Sequence, residues 1–565
     1  MLVAIAIKVE VVAVSRLCRR LLAIATIATV AMLSFAMLPG MARAAGTGAI
    51  TVDGTVATRY DAYQLFSATV VDDADADQKV ATDVAWANDT VRQAALPVLH
   101  DAGLDNSAST AQEAAEWMNA DGHMTTTLAA KLARVICNAG APSVALNAGA
   151  ATELPCGYWL IVADDDAIAQ GEAGTAPIMA LVGGSAVTVK PKAATPKVAK
   201  HVLEDSTDAW QKAADATVAD DLYWRLSATV PAGLTAYDTY TVRFVDTMGA
   251  GLDPSKVAAS MRVYAAAGTD GGFDAVPAGK DGRAGTEPAK GWTDITAQCG
   301  VSVDGKTFTV RTGDLIAALG GADAFTAGAR VVAVYNAPLN SACNHGIAKG
   351  NPNEVYLRYP RSPFADQSGD AGFTRTPSDD ACAYTWDLAL TKRGSDGDKP
   401  LAGAVLSIAD DRGRTLAADG TWDAEGKATV TTGEDGRVTV SGVDSGKLEV
   451  RELKAPKGYT AFEGTRSVTV KAEGLDVDQV AAAKPKLTIT AESPLRADSA
   501  DGSTGSLEAS LINTPTGTPP SITTGGFMPS TGDMAMYAAA AAAVAGAALI
   551  VVALLVKRGG GSHKE

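Results

Sequence analysis

The most constraining feature of this chain is an uncharged apolar run near its C-terminus, from Met534 to Val556. At about 1.5 Å of rise per residue, a helix of these 23 residues reaches across a hydrocarbon core of roughly 30 Å. Lys557 and Arg558 follow directly, and such cations stay on the cytoplasmic side of a membrane. The run therefore predicts a membrane-spanning helix that leaves the residues before it outside the cell.

A short motif stands directly ahead of this run: Met528, Pro529, Ser530, Thr531 and Gly532. Motif, apolar helix and basic tail together resemble the cell-wall sorting signal of Gram-positive surface proteins, LPxTG, with Met528 in place of the usual Leu. In that family a sortase cuts between the Thr and the Gly and passes the threonyl carbonyl to an amine. The resemblance implies Thr531 as the acyl donor, and an ordinary C-terminal anchor helix is the alternative.

The N-terminus has the organisation of a secretory signal peptide. An apolar stretch, Leu21–Leu38, is preceded by Arg16, Arg19 and Arg20 and followed by small residues, Ala42–Ala44, of the A-x-A cleavage type. Residues 1–44 are therefore predicted to be removed during export. Both ends of the chain thus place the protein at the cell surface.

Charge and composition restrict the classes of partner. The formal net charge of −16 argues against nucleic acid and anionic membrane surfaces. Aromatic residues make up only 5% of the chain, so small-residue cores in β-rich units are expected. His residues show no metal-ligand spacing, and we predict neither a metal site nor a cofactor.

Five cysteines remain once the signal peptide, with Cys18, is removed. Export makes disulfide bonds plausible, and an odd count leaves one thiol over. Cys137 and Cys156 flank a short stretch rich in Ala, Gly and Ser and form the first candidate pair. Among the others, Cys299 and Cys343 fall within one predicted domain, whereas Cys382 does not.

Alternating apolar and polar residues with Gly, Asp and Pro turns predict a mainly β protein built from tandem β-sandwiches of the immunoglobulin-like kind. Three Ala-rich stretches with helical periodicity, at 80–99, 111–118 and 125–136, predict a helical insertion in the first domain. The predicted domains are residues 45–189, 190–365 and 383–515. A spacer at 516–527 and the sorting signal at 528–565 follow.

The third domain has a lysine in an otherwise apolar first strand, where Leu388, Leu390 and Lys392 share one face. Further along come PLAGAV at 400–405, the stretch 452–459 beginning with Glu452, and Asn513 at the end of the last strand. These elements resemble the Cna-B modules of Gram-positive adhesins and pilins, over essentially all of residues 384–515. The resemblance implies an isopeptide bond between Lys392 and Asn513, catalysed by Glu452.

Elementary chemistry explains why such a bond needs a buried site. Burial lowers the pKa of a lysine and raises that of a carboxyl group, so both can be neutral. A neutral amine is a nucleophile, whereas an ammonium is not. A protonated Glu452 is expected to hydrogen-bond the carbonyl of Asn513 and then to relay protons as ammonia leaves. A buried ion pair without reaction is the alternative.

The second domain resembles the isopeptide-forming fimbrial domain of pilin shafts. The matching positions are Lys200 in the first strand, Asp246 as the acid and Asn353 in the last strand. Lys200 is preferred over Lys197 because it shares a face with Val198 and Val202. The chain lacks the family's usual YSNxP sequence after the last strand, so Asn336 and Asn351 stay open as alternatives to Asn353.

Between the first two domains, residues 187–192 (VTVKPK) resemble the pilin motif, whose lysine attacks the sortase acyl-enzyme. Lys192 is the matching residue, and Lys190 is its competitor. The chain as a whole is identified as resembling sortase-assembled backbone pilins of the SpaA type. This implies a pilus shaft subunit, not an enzyme, joined through Thr531 and Lys192 of the next subunit.

The partners that this resemblance implies are pilus-specific and housekeeping sortases, other pilin subunits, peptidoglycan and host surface ligands. A monomeric wall-anchored adhesin with the same isopeptide modules would not need Lys192. A surface hydrolase with accessory β modules would need catalytic residues in the helical N-terminal part, where no such motif is recognisable.

Overall fold

The computed structural model describes residues 46–73, 78–120, 122–191, 195–276, 284–348, 350–365 and 367–517. The predicted signal peptide, Lys192, the sorting motif and the predicted membrane helix lie outside the described residues. Among the residues that are described, no helix is long and apolar enough to cross a bilayer. Strands dominate throughout, so the predicted mainly β fold class is confirmed.

The first region, residues 46–191, combines two sheets with three helices. Its strands are β1 (Thr47–Val52), β2 (Arg59–Asp72), β3 (Lys79–Trp86), β4 (Ser143–Asn147), β5 (Ala151–Pro155), β6 (Gly157–Ala163), β7 (Ile178–Val182) and β8 (Val187–Val189). They form one sheet in the order β5-β1-β8 and another in the order β3-β2-β6-β7, with β4 also on β2.

The helical insertion is α1 (Asp89–Asp101), α2 (Ala111–Met118) and α3 (Thr126–Asn138). Side chains of Asn88, Thr110 and Thr125 accept hydrogen bonds from the first turns, which fixes where each helix begins. The prediction of helix from residue 80 was wrong, because residues 79–86 form β3. That segment pairs antiparallel with β2, and the sheet partner outweighs the helical preference of its alanines.

The second region, from residue 195 to 384, is a sandwich of two sheets. Its strands are β9 (Lys197–Glu204), β10 (Ala209–Gln211), β11 (Ala213–Asp215), β12 (Tyr223–Val230), β13 (Arg243–Met248), β14 (Arg262–Ala267), β15 (Thr293–Asp294), β16 (Gly300–Asp304), β17 (Thr307–Arg311), β18 (Ala329–Asn336), β19 (Asn351–Pro360), β20 (Phe373–Arg375) and β21 (Asp379–Tyr384). Short helices α4 (Val257–Ser260), α5 (Leu315–Ala318) and α6 (Ala322–Phe325) join them.

The strand order in one sheet of this sandwich is β10-β9-β12-β18-β14-β15. In the other it is β11-β21-β19-β13-β17-β16, with β20 also on β19. β21 lies beyond residue 365, yet it pairs with β19 and with β11. A single apolar core fills the space between the two sheets and includes Trp224, Phe244 and Tyr335.

The third region, residues 386–517, is a smaller sandwich. Its strands are β22 (Trp386–Gly394), β23 (Val405–Ala409), β24 (Thr415–Leu416), β25 (Trp422–Asp423), β26 (Val430–Thr431), β27 (Arg437–Val443), β28 (Gly446–Lys454), β29 (Tyr459–Thr460), β30 (Thr465–Glu473), β31 (Lys486–Ala491), β32 (Leu495–Asp501) and β33 (Ser506–Pro515). One sheet has the order β27-β22-β33-β29, with β32 on β33, and the other β25-β24-β23-β28-β30-β31, with β26 on β23.

The first and last strands of this sandwich, β22 and β33, are neighbours and run parallel. Lys392 is in register with Leu511, and Gly394 with Asn513, so the Lys392 and Asn513 side chains leave neighbouring strands close together. β28 belongs to the facing sheet and brings Glu452 to the same part of the core. The fold therefore gathers three residues that are far apart in sequence.

Candidate functional site

The third region contains a buried cluster of one lysine, one acid and one amide. The Nζ atom of Lys392 donates a hydrogen bond to Oδ1 of Asn513 and lies 3.1 Å from Oε1 of Glu452. Nδ2 of Asn513 donates to the same Oε1 atom at 2.9 Å. The other carboxylate oxygen of Glu452 accepts from the backbone N–H of Phe462 at 3.1 Å. A single carboxylate oxygen thus touches both nitrogen atoms.

This arrangement differs from the sequence-based expectation in one respect. Glu452 was expected to hydrogen-bond the carbonyl oxygen of Asn513, but it accepts from the amide nitrogen instead. The carbonyl oxygen receives its hydrogen bond from Lys392. The carboxylate is therefore next to the nitrogen that departs if the amide is attacked.

Burial gives this cluster its electrostatic character. The side chains of Lys392 and Glu452 have no exposed surface, and Asn513 is 2% exposed. Loss of hydration lowers the pKa of Lys392 to about 8, although the neighbouring Glu452 acts in the opposite direction. A substantial neutral fraction of this amine is accessible near physiological pH, as a nucleophile requires.

A second buried cluster lies in the core of the second region. Lys200 on β9 contacts Oδ2 of Asp246 on β13, and both residues are fully buried. Asn353 on β19 is also fully buried. Burial lowers the pKa of Lys200 to about 8 and raises that of Asp246. Loss of hydration therefore favours the neutral form of both side chains.

Tyr335 joins these three residues, and the sequence analysis did not single it out. Its hydroxyl group donates to Oδ2 of Asp246 at 3.0 Å and accepts from Nζ of Lys200 at 2.9 Å. It also accepts from Nδ2 of Asn353 at 2.8 Å. The remaining side-chain oxygens, Oδ1 of Asp246 and Oδ1 of Asn353, are buried and have no hydrogen-bond partner among the described residues. The tyrosine hydroxyl is therefore the centre of this cluster.

The alternatives left open by the sequence have other positions. Lys197 is exposed at the start of β9. Asn351 is buried, but its amide is fully engaged with the backbone of Asn344 and Ala383. Asn336 accepts from the N–H of Leu222 and donates to Asp221. Of the three candidate asparagines, Asn353 is the one that shares a hydrogen-bond partner, the hydroxyl of Tyr335, with Lys200.

A third lysine, acid and amide cluster provides a comparison. Oδ1 of Asp221 accepts from Nζ of Lys256 at 2.7 Å and from Nδ2 of Asn336 at 2.6 Å. The Lys256 side chain is 46% exposed, so water stabilises its ammonium form. The residue types match those of the two buried clusters. The difference is that the lysine of this third cluster is exposed, whereas Lys200 and Lys392 are buried.

The cysteine pairing predicted from sequence was wrong. Cys137, Cys156, Cys299, Cys343 and Cys382 are all free thiols in the structure. Cys156 packs in a small apolar cluster with Val70 and Leu181, whereas Cys137 ends α3 and contacts Tyr63. Cys299 donates to the carbonyl of Ile295 at 3.3 Å. Each of these three thiols is thus packed against a different part of the fold and not against another cysteine.

At the boundary of the first two regions, Lys190 is exposed and lies 3.3 Å from the carboxylate of Asp53. Its competitor Lys192 lies outside the described residues. In the part of the chain that is described, no group of three or more His, Cys, Asp or Glu side chains could hold a metal ion.

Acidic side chains gather where the second and third regions meet. Oδ2 of Asp215 accepts from Nε1 of Trp386 at 2.6 Å and from the hydroxyl of Ser445 at 2.6 Å. Oε2 of Glu204 accepts from the N–H of Asp215 at 3.1 Å. Burial, followed by the charge of Asp215, raises the pKa of Glu204 to about 8. Burial and neighbouring acids also raise the pKa of Asp444 well above its ordinary value.

Comparison with known proteins identifies the third region. Residues 387–484 match the SpaA family described as a prealbumin-like fold domain. The trypsin-resistant surface T6 protein of Streptococcus pyogenes serotype M6 is 30% identical over 143 residues, which is 24% of this chain and 24% of that protein. The chain therefore spans about a quarter of the length of this curated relative. The predicted resemblance to SpaA-type pilins is confirmed for this part of the chain.

Two pilins are among the solved structures that the chain matches. The T6 backbone pilin of S. pyogenes serotype M6 has 16% identity and a TM-score of 0.45, covering 83% of this chain and 98% of that one. The full-length major pilin SpaD of Corynebacterium diphtheriae has 15% identity and a TM-score of 0.40, covering 83% and 97%.

Proposed function

We propose that this protein is the major shaft subunit of a covalently polymerised surface pilus, and that each subunit forms two internal Lys-Asn isopeptide bonds. The bonds join Lys200 to Asn353 and Lys392 to Asn513. The observation that carries the proposal is the buried cluster of the third region, where one oxygen of Glu452 contacts both the amine and the amide nitrogen. The match of residues 387–484 to a SpaA domain supports it.

The chemistry follows from these contacts. Glu452 takes a proton from the ammonium of Lys392, and the neutral Nζ attacks Cγ of Asn513. The same carboxyl group then delivers the proton to Nδ2 and the C–N bond breaks. The carboxylate takes the second proton from the attacking nitrogen and passes it to the departing ammonia, which leaves as ammonium. Proximity accounts for much of the rate, because the fold holds amine and amide in hydrogen-bond contact. The protein reacts once with itself and turns nothing over.

Mass spectrometry tests the internal bonds. Each bond removes one ammonia, about 17 Da, so the segment 46–527 is expected about 34 Da below its sequence mass. Digestion should also yield two branched peptides, one joining Lys200 to Asn353 and one joining Lys392 to Asn513. An unchanged mass would contradict the proposed chemistry.

For assembly, we propose that sortase joins Thr531 of one subunit to Lys192 of the next. The order of the pilin motif, the two lysine-bearing domains and the sorting motif supports this assignment. Partners are then sortases, further subunits and, at the base, peptidoglycan. The wild-type chain should give a ladder of SDS-resistant multimers on the cell surface.

Substitution Lys192→Ala is expected to abolish the ladder while the subunit stays attached to the wall. Lys190→Ala is the matched control, two residues away, and should keep the ladder. A monomeric wall-anchored adhesin would give no ladder even in the wild type, which separates the two functions.

A further inference from the structure

The two buried clusters differ in the reach of their acids. In the third region, Oε1 of Glu452 contacts both Lys392 and Asn513 directly. In the second region the acid is Asp246, whose side chain is one methylene shorter. Its Oδ2 atom contacts Lys200 and Tyr335, and its Oδ1 atom is buried with no hydrogen-bond partner in the part of the chain that the structure describes. A proton taken up by Asp246 therefore needs another group to reach the amide of Asn353.

The hydroxyl of Tyr335 occupies that position. It lies 3.0 Å from Oδ2 of Asp246 and 2.8 Å from Nδ2 of Asn353, with Nζ of Lys200 at 2.9 Å. All four side chains are fully buried, so no bulk water competes for these contacts. The ring is held edge-on by Phe308, with centroids 4.7 Å apart. Burial also raises the pKa of Tyr335 well above 10, which keeps the phenol protonated.

We propose that Tyr335 is a catalytic residue for formation of the Lys200–Asn353 bond, relaying a proton from Asp246 to the amide nitrogen of Asn353. This inference rests on the proposed function, because it assigns a role within the same self-crosslinking reaction. The glutamate centre of the third region needs no such relay.

The steps balance as follows. Asp246 accepts one proton from the ammonium of Lys200, and the neutral Nζ forms a bond to Cγ of Asn353. Tyr335 gives its proton to Nδ2 and recovers one from Asp246, while the attacking nitrogen releases its second proton to the departing ammonia. The Cγ–Nδ2 bond breaks and ammonium leaves. The products are one amide bond, a carboxylate at Asp246 and an unchanged phenol at Tyr335.

The test is a time course of bond formation in the full chain made by cell-free translation. Samples are stopped with acid, digested, and the two branched peptides are quantified by mass spectrometry. In Tyr335→Phe the Lys200–Asn353 peptide should appear about 100 to 10,000 times more slowly than in the wild type, the range expected for loss of a proton-transferring group. The Lys392–Asn513 peptide, measured in the same digest, should appear at the wild-type rate.

Tyr237→Phe is the matched control. Tyr237 is a buried tyrosine of the same core, and its hydroxyl has no hydrogen-bond partner within the described ranges. This variant should form both bonds at the wild-type rate. A wild-type rate of the Lys200–Asn353 bond in Tyr335→Phe would overturn the role of Tyr335.

A second variant covers the case in which Tyr335→Phe fails to fold. Incorporation of 3-fluorotyrosine at position 335 keeps the shape and makes the phenol a stronger acid. The rate of Lys200–Asn353 bond formation should then rise, and an unchanged rate would overturn the relay. Absence of the Lys200–Asn353 peptide from the wild type would instead contradict the proposed bond itself, so the two failures are distinguishable.

Discussion

The Nζ atom of Lys392 lies 3.1 Å from Oε1 of Glu452, and neither side chain has any exposed surface. If this acid takes the lysine proton, the isosteric and neutral Glu452→Gln variant cannot do so. We expect it to lack the Lys392–Asn513 bond and to be about 17 Da heavier than the wild type, after allowing for the substitution. Loss of a crosslink closing a loop of this length should lower the free energy of unfolding by about 5 kcal/mol.

Glu463→Gln provides the control, because Glu463 is an exposed neighbour in the same region. It should keep both bonds and the wild-type stability, as measured by intact mass and denaturant unfolding. A crosslinked Glu452→Gln protein would show that the carboxyl group is dispensable.

A pH dependence follows from the buried lysine. In Asn513→Ala no bond can form, and Lys392 stays as an amine whose pKa is lowered from 10.5 to about 8 by burial. The unfolded chain then binds more protons between about pH 8 and 10.5, so the folded state gains stability as pH rises through this window. The gain should approach about 3 kcal/mol at most.

The reference for this measurement is the double variant Asn513→Ala with Lys392→Met, which lacks the titrating group. Denaturant unfolding from pH 7 to pH 10.5 should show the difference between the two variants shrinking as pH increases. A difference that is independent of pH would mean that the lysine keeps its ordinary pKa in the fold.

The cluster of Lys256, Asp221 and Asn336, whose lysine side chain is 46% exposed, should stay unreacted. Its hydrogen bonds resemble those of the buried clusters, but the amine is hydrated and charged. Peptide mapping of the crosslinked protein should therefore recover Lys256 and Asn336 in separate, unmodified peptides. A branched peptide joining them would show that residue identity suffices without burial.

The acidic junction between the second and third regions predicts the opposite dependence on pH. Glu204 has a pKa raised to about 8, so the folded state holds a proton that the unfolded chain releases above about pH 4.5. Stability should therefore fall as pH rises from 4.5 to 8, with a slope of up to about 1.4 kcal/mol per pH unit. The titratable groups that face this junction are Asp205, Asp215, Asp411, Arg412 and Asp444.

The measurement is thermal unfolding of the wild type and of Glu204→Gln across this range. The variant, which cannot ionise at position 204, should show a flatter pH profile. Identical profiles would place the titration elsewhere in the protein.

The sequence allowed the third region to be predicted closely, because its alternating strands place Lys392 inward and its motif spacing marks Glu452 and Asn513. Tyr335 could not be found in this way. Its strand reads as an ordinary apolar segment, and only the packing of β18 against β13 and β19 brings its hydroxyl to Asp246 and Asn353. The prediction of a helix from residue 80 failed for a related reason, because the alanine pattern of residues 79–86 does not show that β2 is available as a sheet partner.

β22 and β33 are the first and last strands of the third region, and they lie next to each other in parallel orientation. A pull on the two ends of this region slides one strand along the other, which strains their hydrogen bonds together instead of opening them one by one. With Lys392 bonded covalently to Asn513, tension applied at Trp386 would pass along β22 to Lys392. It would then cross the isopeptide bond to Asn513 and continue to Thr516. Residues 393–512 would then carry no tension, so loops between them could change length without weakening a fibre.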